Sequence, residues 1–485
     1  MRRSNKTIQL LQEFSIPLIA GVFCALAVAN FWPGHYHSLV HDSVTQWGSG
    51  GNEVHVASIA SSSHGSAHTD EHHEAHHSEA NAGHGHDEQA EHGDHHAASI
   101  AAPGHGGHGG HGGSHWMTLH FLVNDIFMVI FFGIAAKEIT EACLPGGALN
   151  PPSKAINPLL ATIGGVLGPV AVFFALNGAI GQSAWANGWG IPTATDIALA
   201  WLVARIIFGN GHPAVSFLLL LAVADDAIGL GIIAFAYPDP NNPTEWLNAL
   251  WIAPAMGLAY LFRRMQLKSW LPYAATASLS WWGLYSAHLH PALAMVFVVP
   301  FMPGPRRDLG LYVEEEEYGD EHSAHSPLEN FEHQLKPFVD FGLFFFAFAN
   351  AGVSFAGVSS LTWIVLLSLL VGKTAGITAC SLLGDKLGFP IPEGMRVRHV
   401  FVLAVTAGIG LTVALFVSAQ AYTDPTIQGA AKMGALMSGL IALLAIALGK
   451  LLGVRDPERT EQSARIAPNA LQTDAAKFER ELEHV

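Results

Sequence analysis

Two aspartates stand side by side, Asp225 and Asp226, inside the otherwise apolar run FLLLLAVADDAIGLGIIAFAY that begins at Phe217. Consecutive helical side chains point about 100° apart, so both carboxylates can face a protein interior. An ionisable side chain within a membrane-spanning helix costs about 2.5–3.5 kcal/mol and is a functional hypothesis by default. In a dry site the two cannot both stay ionised and unpaired, because burial and mutual repulsion favour proton uptake. A hard cation such as sodium pulls the other way, since it prefers carboxylate and carbonyl oxygens. Proton and cation then compete for the same oxygens. If the loaded forms reorient and the empty one does not, that competition by itself exchanges one for the other. The plainer alternative is a satisfied buried pair bridging two helices.

Further ionisable residues fall in apolar runs: Asp125, Glu138, Asp196, Asp340 and Lys373. The segment GWGIPTATDIALAWL carries Pro192, which removes a backbone donor, with oxygens from Thr193, Thr195 and Asp196 close by. The segment FVLAVTAGIGLTVALF places Gly408 and Gly410 between Thr406 and Thr412. One interrupted span in each half predicts inverted repeats whose broken helices cross at the membrane midplane. A broken helix exposes a positive N-terminal and a negative C-terminal dipole end. Asp196 suits the first, and Lys373 the second or a carboxylate. Close helix packing is the other account of the glycines. Gly372-Lys373-Thr374 has the form of a phosphate-binding loop's end, but Leu367 stands where that motif needs its first glycine, which excludes nucleotide binding.

These residues need membrane helices to hold them. Half of the 485 residues are hydrophobic and 13% are charged, well below the ~25% of soluble domains. About 20 apolar residues cross the hydrocarbon core. We count twelve such runs, centred near Val22, Ile130, Leu167, Ala200, Leu221, Ala255, Leu279, Met295, Phe345, Leu369, Val405 and Ile441. The predicted fold is therefore an all-α integral membrane protein of about twelve transmembrane helices, with inverted repeats and crossed, interrupted fourth and eleventh helices. Basic residues in alternate loops, from Arg2 and Arg3 to Lys450, place both termini in the cytoplasm. The basic start and small residues near Ala29 also have the form of a cleaved signal peptide, but the apolar run continues through Trp32 and the even span count favours retention. The net charge of −16 argues against a nucleic-acid partner. Cys24, Cys143 and Cys380 read as small packing residues rather than a disulfide framework.

Twenty of the 28 histidines lie between His35 and His120, among Gly, Ser, Ala, Asp and Glu. That stretch has too little apolar surface to fold, so a disordered extracytoplasmic insertion is expected over 33–115. Residues 1–32 form the N-terminus and first span, 116–452 the transmembrane core and 453–485 a cytoplasmic tail. His73-Glu74-Ala75-His76-His77 matches a zinc-protease pattern by letters, but in low-complexity flanks a tract this rich in His and Glu generates it by chance. His73 and His77 stay as speculative ligands for a transition metal. A divalent-metal transporter, or a membrane metal sensor using this tract, is the alternative function; the transporter would want His or Cys ligands within the spans, and the sensor would leave Asp196, Asp225, Asp226 and Lys373 unexplained.

The stretches VNDIFMVIFFGIAAKE, GIPTATDIALA, LLAVADDAIGLGIIA, SPLENFEHQLKPFV with FAFANAGVSF, VGKTAGI and TAGIGLTVALF, in that order, resemble the NhaA family of sodium/proton antiporters. The resemblance covers nearly everything from Trp116 to Leu452. It implies a multi-pass protein of the bacterial inner membrane, not an enzyme and without a cofactor, that exports sodium or lithium in electrogenic exchange for external protons and so serves pH and sodium homeostasis. It implies that Asp225 and Asp226 carry the cation and protons, that Thr195 and Asp196 lie at the helix crossing, and that Lys373 is their charge partner. Glu138 and Glu332 match the family's pH-responsive acidic positions, with Glu141 close by; solvated helix-end charges are the alternative. Family members often dimerise through a hairpin between the first two spans. Here the histidine-rich insertion occupies that region, so a homodimer stays open. Asp340 departs from the family pattern and is expected beside Lys336.

Overall fold

The computed structural model describes residues 16–42, 118–144, 152–209, 211–238, 243–304 and 326–454, with side chains from 155 in the third of these segments. Among them the chain is helical, with no strand. In order come α1 (Ile16–Phe31), α2 (Pro33–His41), α3 (Leu119–Cys143), α4 (Pro152–Ile180), a 3₁₀ stretch Ser183–Thr193, α5 (Ile197–Phe208) and α6 (Pro213–Ala236). Then follow α7 (Ile252–Arg264), α8 (Leu271–Ser286), a 3₁₀ stretch Pro291–Phe301, α9 (Pro327–Asn350), α10 (Ser360–Lys386), α11 (Val397–Thr406), α12 (Leu411–Ala421) and α13 (Pro425–Leu451).

Several helices start the same way. His212, Ser326 and Asp424 each accept a backbone N–H from the turn they cap, and each is followed by proline at the first helical position. Proline there forfeits an N–H that had no intrahelical partner anyway. Five stretches are long and apolar enough to span a membrane: α3, Ala155–Ile180 of α4, α6, α10 and α13. Two further pairs qualify as bent spans: Ser183–Thr193 with α5, bent by 55°, and α11 with α12, bent by 49°. Large apolar side chains on the outer faces stay exposed, Phe23, Leu167, Phe235 and Leu443 among them. In water that would be a liability; against lipid tails it is the expected surface.

The tightest packing joins α4 to α10. A Cβ on Gly164 would overlap the carbonyl of Gly376, and one on Gly168 the carbonyl of Gly372. Glycines four apart on both helices let the backbones touch, as small residues do at membrane helix interfaces. This contact brings α10 against the centre of the bundle. Its helix widens into a π turn over Ser368–Gly372, directly before Lys373, and such turns re-aim the side chains that follow them.

α2 lies inside the segment expected to be disordered from Pro33 onward. Its helix forms because Tyr36 and Val40, one turn apart, bury one face. The Tyr36 hydroxyl donates to the Phe348 carbonyl at 2.7 Å and accepts the Gly352 N–H at 3.2 Å, so this short helix is pinned to the end of α9. His73 and His77 lie outside the described residues, as do most of the insertion and the tail.

Candidate functional site

The two bent spans meet at their breaks. The first is extended over Ala194–Asp196, two residues beyond the proline that signals it; the second opens after Thr406 and closes at Gly410. The Asp196 N–H donates to the Ile409 carbonyl at 2.7 Å, so each break satisfies a backbone group of the other. Asp196 then serves two helices at once. Its Oδ1 accepts the Leu199 N–H at 3.0 Å, capping α5, and its Oδ2 accepts the Thr412 N–H at 3.3 Å, at the start of α12. One carboxylate therefore faces two positive helix ends, where negative charge is favoured.

Thr195, Asp225 and Lys373 come from three separate elements and form one buried cluster. Asp225 and Lys373 have no exposed surface. The Lys373 ammonium donates to Asp225 Oδ2 and, at 2.7 Å, to the Thr195 hydroxyl oxygen. That hydroxyl lies 2.8 Å from Asp225 Oδ2 and 3.0 Å from the Ala407 carbonyl, both acceptors. A hydroxyl has a single proton, so it chooses between the carboxylate and the broken backbone between α11 and α12. Asp226, one position on, is half-buried, and its side chain leaves α6 about 100° around the helix from that of Asp225. Asp225 Oδ1 and Asp226 Oδ1 are both buried without a hydrogen-bond partner among the described residues. Buried oxygens left this way are costly unless something fills the gap. Two carboxylate oxygens with threonine and carbonyl oxygens around them form the donor set a hard monovalent cation prefers.

The acidic candidates on α3 and α9 form a second cluster. Glu141 pairs with Lys137 at 2.6 Å, Glu332 pairs with the same Lys137, and Lys336 reaches Glu332 at 3.2 Å. Glu138 lies beside Lys137 in sequence and is half-buried. Lys137 is the residue that sequence reasoning missed. It is buried between two carboxylates, and its i,i+4 spacing to Glu141 was the available signal. Asp340 is one turn beyond Lys336 on α9. Among the described residues no group of three or more His, Cys, Asp or Glu side chains is placed to hold a metal ion.

Comparison with known proteins bears on what this site handles. Residues 104–450 match the family model described as Na+/H+ antiporter 1. The Na(+)/H(+) antiporter NhaA of Geobacter metallireducens is 49% identical over 452 residues, which cover 93% of this chain and 99% of that protein. The protein of the same name from Desulfitobacterium hafniense is 48% identical over 463 residues, covering 95% of this chain and all of its own. That of Geobacter sulfurreducens is 48% identical over 452 residues, 93% of this chain and 99% of its own.

Proposed function

Because the chain belongs to the Na+/H+ antiporter 1 family of multi-pass inner-membrane transporters, we propose that it exports sodium or lithium in electrogenic exchange for external protons, and so serves pH and sodium homeostasis. Asp225 and Asp226 bind the cation or the protons. Two carboxylates against one monovalent cation allow more than one proton per sodium, which makes the exchange electrogenic and lets the membrane potential drive it. Thr195 supplies a neutral oxygen, Asp196 offsets the helix N-termini at the crossing, and Lys373 supplies the counter-charge when the site is empty. Glu138, Glu141 and Glu332 adjust the response to cytoplasmic pH. The full arrangement is twelve spans in two inverted repeats, both termini in the cytoplasm, with the histidine-rich insertion outside.

The observation that supports this reading best is the pair of unpartnered oxygens on Asp225 and Asp226 beside two broken helices. A cation that fills that gap must displace whatever proton held it, and a proton must displace the cation. The divalent-metal alternative is not favoured: the relatives are sodium/proton antiporters, and the surroundings of Asp225 offer carboxylates and hydroxyls where thiols and imidazoles would be wanted.

The test is proton flux in sealed vesicles on adding sodium, native chain against Asp225→Asn with Asp226→Asn. Sodium should dissipate an imposed pH gradient in native vesicles and leave it intact in the double variant. Native vesicles indifferent to both sodium and lithium would overturn the proposal.

A further inference from the structure

The two helices that flank the histidine-rich insertion meet through histidines of their own. α2 ends on His41, and α3 opens with Leu119 and His120, with residues 42–118 between them. The His41 ring stacks on that of His120, centroids 5.5 Å apart and planes 28° apart. His37, one helical turn before His41, has its ring centroid 4.8 Å from that of His41, with the planes tilted by 39°. Tyr36 and Val40 form the buried stripe of α2. His37 and His41, each one residue on, therefore lie about 100° around the helix, and both are exposed.

We propose that His37 and His41 chelate a first-row divalent ion (zinc, nickel or copper) and that the bound ion braces α2. Histidines at i and i+4 are spaced so that a helix presents both imidazoles to one ion. A Zn–N bond of about 2.0–2.1 Å puts each ring centroid about 3.2 Å from the metal, so two rings on neighbouring coordination positions stand about 4.5–5.2 Å apart. The observed 4.8 Å falls within that interval. His120 does not join as a third ligand: its 5.5 Å separation from His41 falls outside, and nearly parallel stacked rings do not aim their nitrogens at one point. Its part is to position the His41 ring. A ligating imidazole commits one nitrogen and keeps the other for a neighbouring group, so both rings can bind metal while holding other contacts. Imidazole suits zinc, nickel and copper, whereas magnesium wants oxygen, so this site is chemically unlike the aspartates of α6.

Bracing α2 bears on the bundle through contacts already in place. Besides its bonds to Phe348 and Gly352, the Tyr36 hydroxyl lies 3.1 Å from the Ala349 carbonyl. Asn30, near the end of α1, donates to the Val353 carbonyl at 2.9 Å and accepts the Phe355 N–H at 2.9 Å. α1, α2 and the turn after α9 thus form one corner, which α3 joins through the stack of His120 on His41. One ion across two successive turns of α2 holds that corner against local opening.

The inference does not rest on the antiporter reading, and its test needs no transport. The probe is zinc alone, added to the full chain in detergent and read by amide hydrogen exchange at 36–42, which separates this pair from the histidines of the insertion. With zinc at about ten times the Kd given by the midpoint of the protection curve, a helix that binds only when folded should exchange about tenfold more slowly. His37→Gln and His41→Gln should each abolish that protection, because one imidazole cannot chelate. Both positions are exposed, so neither substitution threatens the fold. His120→Phe keeps a ring to stack on His41 and should keep the protection, and magnesium in place of zinc should give none. Protection that persists in His37→Gln or His41→Gln refutes the site. So does zinc binding without protection at 36–42 in the native chain, which would be an adventitious ion only, on other histidines. Loss of protection in His120→Phe would overturn the assignment of the two ligands.

Discussion

Lys373 and Thr195 converge on one oxygen of Asp225, Oδ2, and leave the other, Oδ1, without a hydrogen-bond partner among the described residues. The carboxylate is thus half engaged. Its bonded side is neutralised by an ammonium, and its open oxygen, like the Oδ1 of Asp226, has no hydrogen-bond partner among the described residues. A cation entering on the open side must weaken the hold of Lys373, because one negative charge cannot satisfy two cations equally in a dry site.

Removing Lys373 therefore leaves an uncompensated buried charge. Breaking one side of a buried pair costs about 3–5 kcal/mol, whereas removing both charges is often near neutral. Lys373→Met should lower the denaturation midpoint in detergent markedly, and adding Asp225→Asn should restore most of the loss. A double variant no more stable than Lys373→Met would show that the pair does not hold these helices together.

Thr195 is the next lever. Thr195→Val keeps the shape and loses the hydroxyl that links α6, α10 and the second break. Losing one such buried hydrogen bond is worth about 1.4 kcal/mol, a tenfold change in an equilibrium constant. The KM for sodium should rise about tenfold in Thr195→Val and change little in Thr195→Ser. Equal effects from both substitutions would mean that shape, not the hydroxyl, matters here.

Asp196 separates charge from capping. Asp196→Asn keeps an oxygen for one of the two backbone donors, so folding should survive with slowed exchange. Asp196→Ala loses both caps, each worth about 0.5–2 kcal/mol. The alanine variant should be clearly less stable than the asparagine variant in a thermal melt. Indistinguishable melts would show that the caps on α5 and α12 contribute little.

Much of this site was legible in the sequence because charge inside an apolar run is conspicuous. Asp196, Asp225, Asp226 and Lys373 stand out against Leu, Ile and Ala, and two of them, Asp225 and Lys373, prove to share one buried cluster with Thr195. Lys137 escaped notice because it stands at the end of its run, where a lysine reads as a solvated helix terminus. Only the arrival of Glu332, 195 residues later, makes it buried. The π turn before Lys373 was equally invisible, since it depends on how closely α4 and α10 approach. α2 was overlooked because Pro33-Gly34 and three histidines read as loop, while its fold depends on a pocket that α9 provides for Tyr36.

The pH response tests the shared site most directly. Low pH supplies the competitor: protons occupy Asp225 and Asp226, and sodium binds only after they leave. The sign is fixed, because apparent sodium affinity must fall as pH falls. If one proton leaves for each sodium bound, the apparent KM for sodium rises about tenfold per unit of pH, and if two leave, about a hundredfold. At saturating sodium the maximal rate should stay nearly constant across the range where KM climbs, as competition at one site requires. Initial rates in vesicles, measured over a grid of sodium and cytoplasmic pH, separate the cases. A maximal rate that collapses in acid at constant KM would locate control away from the aspartates. A KM indifferent to pH would mean that sodium and protons do not share these carboxylates.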